Sequence, residues 1–159
     1  MSDLQESNFD DVITLKKGHV LFVEGEPSNF LYIIVSGEIR VVKESGKRLI
    51  PISIVREKDF IGELSMFSDE PRAACAIATQ HSEVFMIKKS DIRKVIKSCP
   101  DWVNNIMQTL TDRLRGGVEI LREHRIVDDI FEVGNNLSTD EEKNLQKEIQ
   151  KYRDRRGLS

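Results

Sequence analysis

FIGELSMFSDEPRAACAIA, Phe60 to Ala78, is the stretch on which the fold turns. Asp59-Phe-Ile-Gly62 ends a strand. Glu63-Leu-Ser-Met-Phe67 suits one or two helical turns, Ser68-Asp-Glu-Pro71 bends the chain, and Ala73 to Ala78 begins another strand. The first turn of a helix leaves backbone N–H groups without internal partners, and these attract anions. Gly62 has no Cβ, so a ligand can come close to the main chain there. Arg72 carries a guanidinium that can fork onto phosphate oxygens, and the small side chains of Ala73 and Ala74 leave the next N–H groups accessible. Glu63, nine positions before Arg72, only accepts hydrogen bonds when ionised and suits a sugar hydroxyl. A cation and bare amides for a phosphate, beside a carboxylate for a ribose, match a ribose cyclic phosphate.

Outward from this stretch the chain reads as short β-rich runs. They are His19 to Val23, Phe30 to Val35, Ile39 to Val42, Leu49 to Val55, Ala73 to Ala78 and Val84 to Ile87. Gly18, Gly25, Gly37 and Gly46 punctuate them. The spacing predicts an antiparallel sandwich, barrel or roll. Pro51 cannot donate a ladder hydrogen bond, so its strand is an edge or carries a bulge. After Lys88 the period changes. Ser90 is placed to cap a short helix from Asp91 to about Ser98, ended by Cys99-Pro100.

A long helix is expected from about Asp101 to Val127. Val103, Met107, Leu110, Leu114 and Leu121, with Gly117 in step, form a coiled-coil-like seam for a second copy, or else a face lying on the chain's own β-domain. Asp128 to Leu137, with Gly-Asn-Asn, reads as a break. Ser138-Thr-Asp-Glu141 is a capping-box pattern that opens a helix to about Arg155. Its thin stripe of Leu145, Ile149 and Tyr152 is too little for a helix alone, so it needs this domain, a second copy or another part of the protein. The expected organisation is an N-terminal arm at 1–14, a binding domain at 15–127 (roll 15–88, helices 89–127), and a linker with a helical tail at 128–159.

Bulk properties narrow the function. The 159 residues carry a net charge of −3, which argues against a general nucleic-acid binder. No apolar run approaches the roughly 18 residues of a membrane span. The polar, acidic start shows no secretory signal. Cys75 and Cys99 lack metal-ligand spacing and read as reduced packing thiols of a cytoplasmic protein. His19, His81 and His124 are scattered, and no catalytic triad or metal motif stands out, so the expectation is recognition, not catalysis, with no metal.

Gly62-Glu63-Leu64 followed by Pro71-Arg72-Ala73-Ala74 resembles the phosphate-binding cassette of cyclic-nucleotide-binding domains. That family includes the bacterial catabolite activator protein, the regulatory subunits of cAMP-dependent kinase and cyclic-nucleotide-gated channels. GHVLFVEGEPSNFLYIIVSGEIRVV is similar to its β-roll entry, and EVFMIKKSDIRKVIKSCPDW to its last strand and B helix. The long helix matches its C helix, so the likeness covers about Leu15 to Val127. The resemblance implies a jelly-roll-like β-roll with a B helix and a long C helix. It implies that Glu63 accepts from the ribose 2′-OH and Arg72 pairs with the cyclic phosphate. The N–H groups of Leu64 and Ala73, with Ser65 and Ala74, would assist, and Val41 and Ile52 would wall the base and ribose.

In that family a Thr or Ser just after the Arg favours cGMP; Ala73 stands there, so cAMP is expected. The chain departs from the pattern at Leu114-Arg-Gly-Gly-Val118, where some relatives carry polar residues that bond the adenine. The glycines serve close helix approach, a hinge or room for the purine, and Arg113 or Arg115 would cover the base instead. The expectation is a regulatory sensor, dimeric through the C helix, in which nucleotide draws the B and C helices onto the roll. Its output would be a domain outside this chain or a partner bound by the tail. The 32 residues after Val127 are too few for a winged helix-turn-helix, so no DNA contact is expected of this chain alone. Two other readings stand beside it: a Glu63–Arg72 surface ion pair, and a roll that is nucleotide-blind or binds another effector and acts as a dimerisation or interaction module.

Overall fold

The computed structural model of the chain describes residues 11–67, 69–124 and 137–158. Much of the expected N-terminal arm, the end of the long helix and most of the 128–137 break lie outside these residues. Among the described residues eight strands form two antiparallel four-stranded sheets. The strands are β1 (Val12–Leu15), β2 (Val20–Phe22), β3 (Phe30–Ser36), β4 (Glu38–Ser45), β5 (Arg48–Arg56), β6 (Phe60–Ile61), β7 (Cys75–Ala78) and β8 (Ser82–Lys88). One sheet has the order β1-β8-β3-β6 and the other β2-β7-β4-β5. Among the described residues three α-helices follow: α1 (Lys89–Lys97), α2 (Asp101–His124) and α3 (Thr139–Arg156). This is the β-roll followed by helices. Its first strand begins at Val12 and pairs with β8, overlapping the stretch expected as an N-terminal arm.

Strand β7 shows why the second sheet reads as continuously apolar. All four of its residues are buried. Ala76 and Ala78 join the cluster between the sheets, with Phe22, Tyr32, Ile34, Ile39 and Val41. Cys75 and Ile77 face the other way, with Val20, Val23, Val42 and Leu49. A strand covered on both faces loses the polar alternation of a half-exposed one. Pro51 sits on the edge strand β5, and the register slips beside it: Val41 pairs with Ser53 and Val42 with Pro51, leaving Ile52 as the extra residue. A bulge of this kind re-aims one side chain.

Helix α3 covers the back of that sheet. Its capping box forms as the pattern predicts: Glu141 N–H donates to Ser138 Oγ at 3.2 Å and Ser138 N–H to Glu141 Oε2 at 2.9 Å. Ile149 and Tyr152 are each 4% exposed and pack with Val20, Val42 and Ile77. Leu49 N–H donates to Glu142 Oε1 at 2.6 Å. The Tyr152 hydroxyl donates to Glu26 Oε1 at 3.0 Å, and Arg156 donates to that hydroxyl at 3.0 Å. Burial, reinforced by Glu26, pushes the Tyr152 hydroxyl up to about 12. The thin apolar stripe therefore finds its partner in this domain.

The capping expected of Ser90 does not occur. Helix α1 begins two residues earlier, at Lys89, without a side-chain cap at Lys88, and Lys89 N–H donates to Asn29 O at 2.8 Å. A backbone carbonyl of the preceding connection does the work of a cap. Cys75 and Cys99 are free thiols. Buried Cys75 accepts from Glu24 N–H at 3.3 Å and donates to Glu44 Oε1 at 3.2 Å, and burial raises its thiol above the ordinary range.

Ile149→Ala tests the docking of α3. Removing this buried side chain should lower stability in urea melts by about 2–4 kcal/mol and raise hydrogen exchange across 139–156. An unchanged melt with unchanged exchange would show that α3 adds nothing to the roll.

Candidate functional site

The site is built where β6 ends. Gly62 has φ 98° and begins a single 3-10 turn, Glu63–Ser65, shorter than the expected helical turns. A Cβ at Gly62 would lie 2.4 Å from Arg72 Nη1 and 3.3 Å from Phe30 O, so glycine here makes room for the arginine. Ser65 is buried, and its hydroxyl donates to Pro71 O at 3.3 Å, tying the turn to the segment that carries Arg72. The backbone of Arg72 is held from the β2–β3 turn: Arg72 N–H donates to Glu26 O, and Gly25 N–H to Arg72 O, both at 2.9 Å.

Arg72 is 3% exposed. Its guanidinium donates to Phe30 O at 2.7 Å and Gly62 O at 3.4 Å. It also lies 4.1 Å from the Phe22 ring centre and 5.5 Å from that of Tyr32. Its buried Nε has no partner, and among the described residues no carboxylate forms an ion pair with it. Desolvation pulls its pKa below the ordinary arginine value, opposed by the fields of Tyr32 and Glu26. A buried cation without a counter-charge is costly. The plain Glu63–Arg72 ion pair is not formed. Half-buried Glu63 makes no side-chain bond among the described residues, which leaves its carboxylate available as an acceptor.

A cavity of about 190 Å³ joins these groups. Gly62, Glu63, Leu64, Ser65, Arg72, Ala73 and Ala74 line one side, and Val41 and Ile52 another. The bulge places Ile52 there. Helix α2 closes the cavity with Leu114 and Val118, and Phe22, Ser53, Val55, Phe60 and Ile61 complete it. Phe22, far from the motif in sequence, had no signal beyond strand propensity. Arg113 stands apart from these residues. It is exposed on α2 and does not line the cavity, because the turn of the helix presents its neighbour Leu114 instead.

Arg115 is engaged elsewhere. It donates to Leu64 O at 3.0 Å and Pro71 O at 3.3 Å, and lies 2.7 Å from Glu70. Gln108 donates to Phe67 O at 3.3 Å, and Arg93 of α1 pairs with Asp69. Both helices are thus fastened to the loop that carries the site. The α2 glycines open no close approach within this chain: a Cβ at Gly116 or Gly117 would meet nothing within 4 Å. Among the described residues no group of His, Cys, Asp or Glu is arranged to hold a metal, and no helix is long and apolar enough to cross a membrane.

Comparison with known proteins agrees with this architecture. The profile of the cyclic nucleotide-binding domain family matches residues 12–99. The CRP-like cAMP-activated global transcriptional regulator of Mycobacterium tuberculosis is 30% identical over 105 residues, which cover 65% of this chain and 46% of that protein. The cAMP-dependent protein kinase regulatory subunit of Colletotrichum orbiculare is 29% identical over 123 residues, covering 75% of this chain and 30% of its own. The chain therefore spans less than half the length of these relatives. Among solved structures, the cAMP-bound form of the EAL enzyme Bd1971 shares the fold, with a TM-score of 0.64 and 23% identity over 76% of this chain and 33% of that one. On the profile match across more than half its length, the chain belongs to the cyclic nucleotide-binding domain family.

Proposed function

We propose that this domain is a cytoplasmic cAMP sensor that acts by recognition and not by catalysis. The observation that carries the reading is the Arg72 guanidinium, buried to 3% exposure on the wall of a cavity with no carboxylate paired to it among the described residues. A cyclic phosphate supplies the missing charge. Glu63, half-buried on the same cavity with its carboxylate uncommitted, takes the ribose hydroxyl. The N–H groups of Leu64, Ala73 and Ala74 support the phosphate. Ser65 N–H is directed to Gly62 O at 3.4 Å and contributes less. Val41, Ile52, Leu114 and Val118 give the base an apolar seat. Ala73 offers no hydroxyl to a guanine amino group, which favours cAMP over cGMP. The relatives named above include a cAMP-activated regulator and a cAMP-dependent kinase subunit, in keeping with a regulatory role.

Signalling follows from how α2 is held. Its ties to Leu64, Phe67, Glu70 and Pro71 lie on the cassette itself. A ligand that settles the cassette therefore shifts the balance between α2 positions by its difference in affinity for them. The output lies with a domain or partner beyond these residues.

Helix α2 also bears a stripe facing outward. Trp102, Ile106, Leu110 and Leu114 recur every four residues and are 48–62% exposed, and Gly116 and Gly117 extend it with open space. A second copy of α2 fits this face. Val103 and Met107, read as seam residues from sequence, are instead half-buried, which moves the stripe around the helix by one position.

Calorimetry with cAMP should show binding, and Arg72→Ala should weaken it by about 2–5 kcal/mol, the penalty of losing one partner of a buried charged pairing. Equal affinity in the variant would refute the role given to Arg72. Ala73→Thr should raise affinity for cGMP relative to cAMP; an unaltered ratio would defeat the assignment of selectivity to this position. Ile106→Asp combined with Leu110→Asp should yield monomers in light scattering, whereas an unchanged mass would place the contact between copies elsewhere.

A further inference from the structure

Lys43 lies in strand β4 and is 2% exposed. Its Nζ has three protons and makes three bonds: to Glu24 Oε1 at 2.6 Å, Ala73 O at 2.7 Å and Glu119 Oε1 at 2.8 Å. These acceptors belong to three segments: the turn after β2, the cassette and helix α2. Glu24 alone would neutralise the ammonium. It also accepts from Glu44 N–H at 3.3 Å, and its backbone carbonyl takes Arg153 of α3 at 3.0 Å, so it belongs to the fixed roll. Glu119, 39% exposed in its side chain, is not needed as a counter-charge and has water within reach. Its presence on Lys43 is therefore a statement about where α2 sits.

The bond to Ala73 O bears on the site directly. The peptide between Ala73 and Ala74 is planar and trans, so its N–H, that of Ala74, points opposite to its carbonyl. Fixing the carbonyl on Lys43 fixes the direction of the Ala74 N–H, and both alanines line the cavity.

We propose that Lys43 is a positioning residue that couples closure of α2 to the phosphate end of the site, one buried ammonium holding the Ala73–Ala74 peptide and the α2 carboxylate Glu119 together. This inference rests on the cyclic-nucleotide reading of the cavity. Ligand held at the cassette stabilises docked α2, and docked α2 stabilises ligand, because such a coupling is reciprocal.

The test compares the wild-type chain with Glu119→Ala, Lys43→Met and the double variant. The readouts are release of a fluorescent cAMP analogue by stopped flow and hydrogen exchange over 101–120 without nucleotide. Glu119→Ala keeps the buried ammonium paired with Glu24, so the roll stays folded. It should release the analogue about 5–50-fold faster and exchange faster along α2. Lys43→Met should do the same, and the double variant should release no faster than Lys43→Met, since the two residues act as one contact. A Lys43→Met protein that melts at a lower temperature but keeps wild-type release and α2 exchange would overturn the proposal, leaving Lys43 as a fold residue. Strictly multiplying single effects would overturn it as well. If the wild-type chain binds no cyclic nucleotide, the functional reading fails on its own; unchanged α2 exchange in Glu119→Ala then overturns the latch, and faster exchange supports it.

Discussion

A guanidinium taken out of water, with no carboxylate in an ion pair with it among the described residues, is the constraint around which this domain is arranged. Arg72 is compensated by two carbonyl oxygens and two aromatic faces. Dipoles and ring quadrupoles soften the desolvation of a cation but do not cancel its charge. Each of its supports comes from a different part of the chain: Phe22 from β2, Phe30 and Tyr32 from β3, Gly62 from the end of β6, and the backbone of Gly25 and Glu26 from the turn between. Gly62 must be glycine both for its positive φ and for the arginine packed against its missing Cβ. The roll thus places one buried guanidinium on the wall of a small cavity.

The helices are organised around the same loop. Helix α1 reaches it through Asp69, α2 through Arg115 and Gln108, and Lys43 links it to both β4 and α2. Exposed ion pairs are worth little singly, about 0–1 kcal/mol. The links through Arg115 and Lys43 differ because they end on backbone carbonyls of the cassette, at Leu64, Pro71 and Ala73. A change in the loop's backbone is therefore a change in what α2 can hold. Helix α3 lies on the opposite face of the sheet. Its Tyr152 holds Glu26, whose carbonyl receives the Arg72 N–H, so the tail helix is also one residue away from the central charge.

Much of this was legible in the residues because the signals are local. The cassette's glycine, acid, arginine and alanines stand within a short span, and the capping box at Ser138 announces the start of α3 through side chains that bond their own backbone. Pro51 foretold an edge strand with a bulge because proline lacks the donor that a ladder needs. The α1 start was misread because its first N–H is satisfied by Asn29 O, a partner 60 residues away in chain order. Of the apolar positions read along α2, Leu110 and Leu114 are exposed while Val103 and Met107 are half-buried, because both faces of that helix carry apolar residues and periodicity alone cannot say which faces the roll.

The sequence by itself determined the β-roll and the order of its helices, and it set Gly62, Glu63 and Arg72 within one short span, since strand alternation, turn residues and helix caps act over a few neighbours. Tertiary structure alone decided that Arg72 is buried with no ion-paired carboxylate among the described residues, that Leu114 and not Arg113 lines the cavity, and that Lys43 meets Glu119. Those facts depend on the rotation of α2 against the roll and on the burial of groups far apart in the chain. No spacing within either segment encodes them.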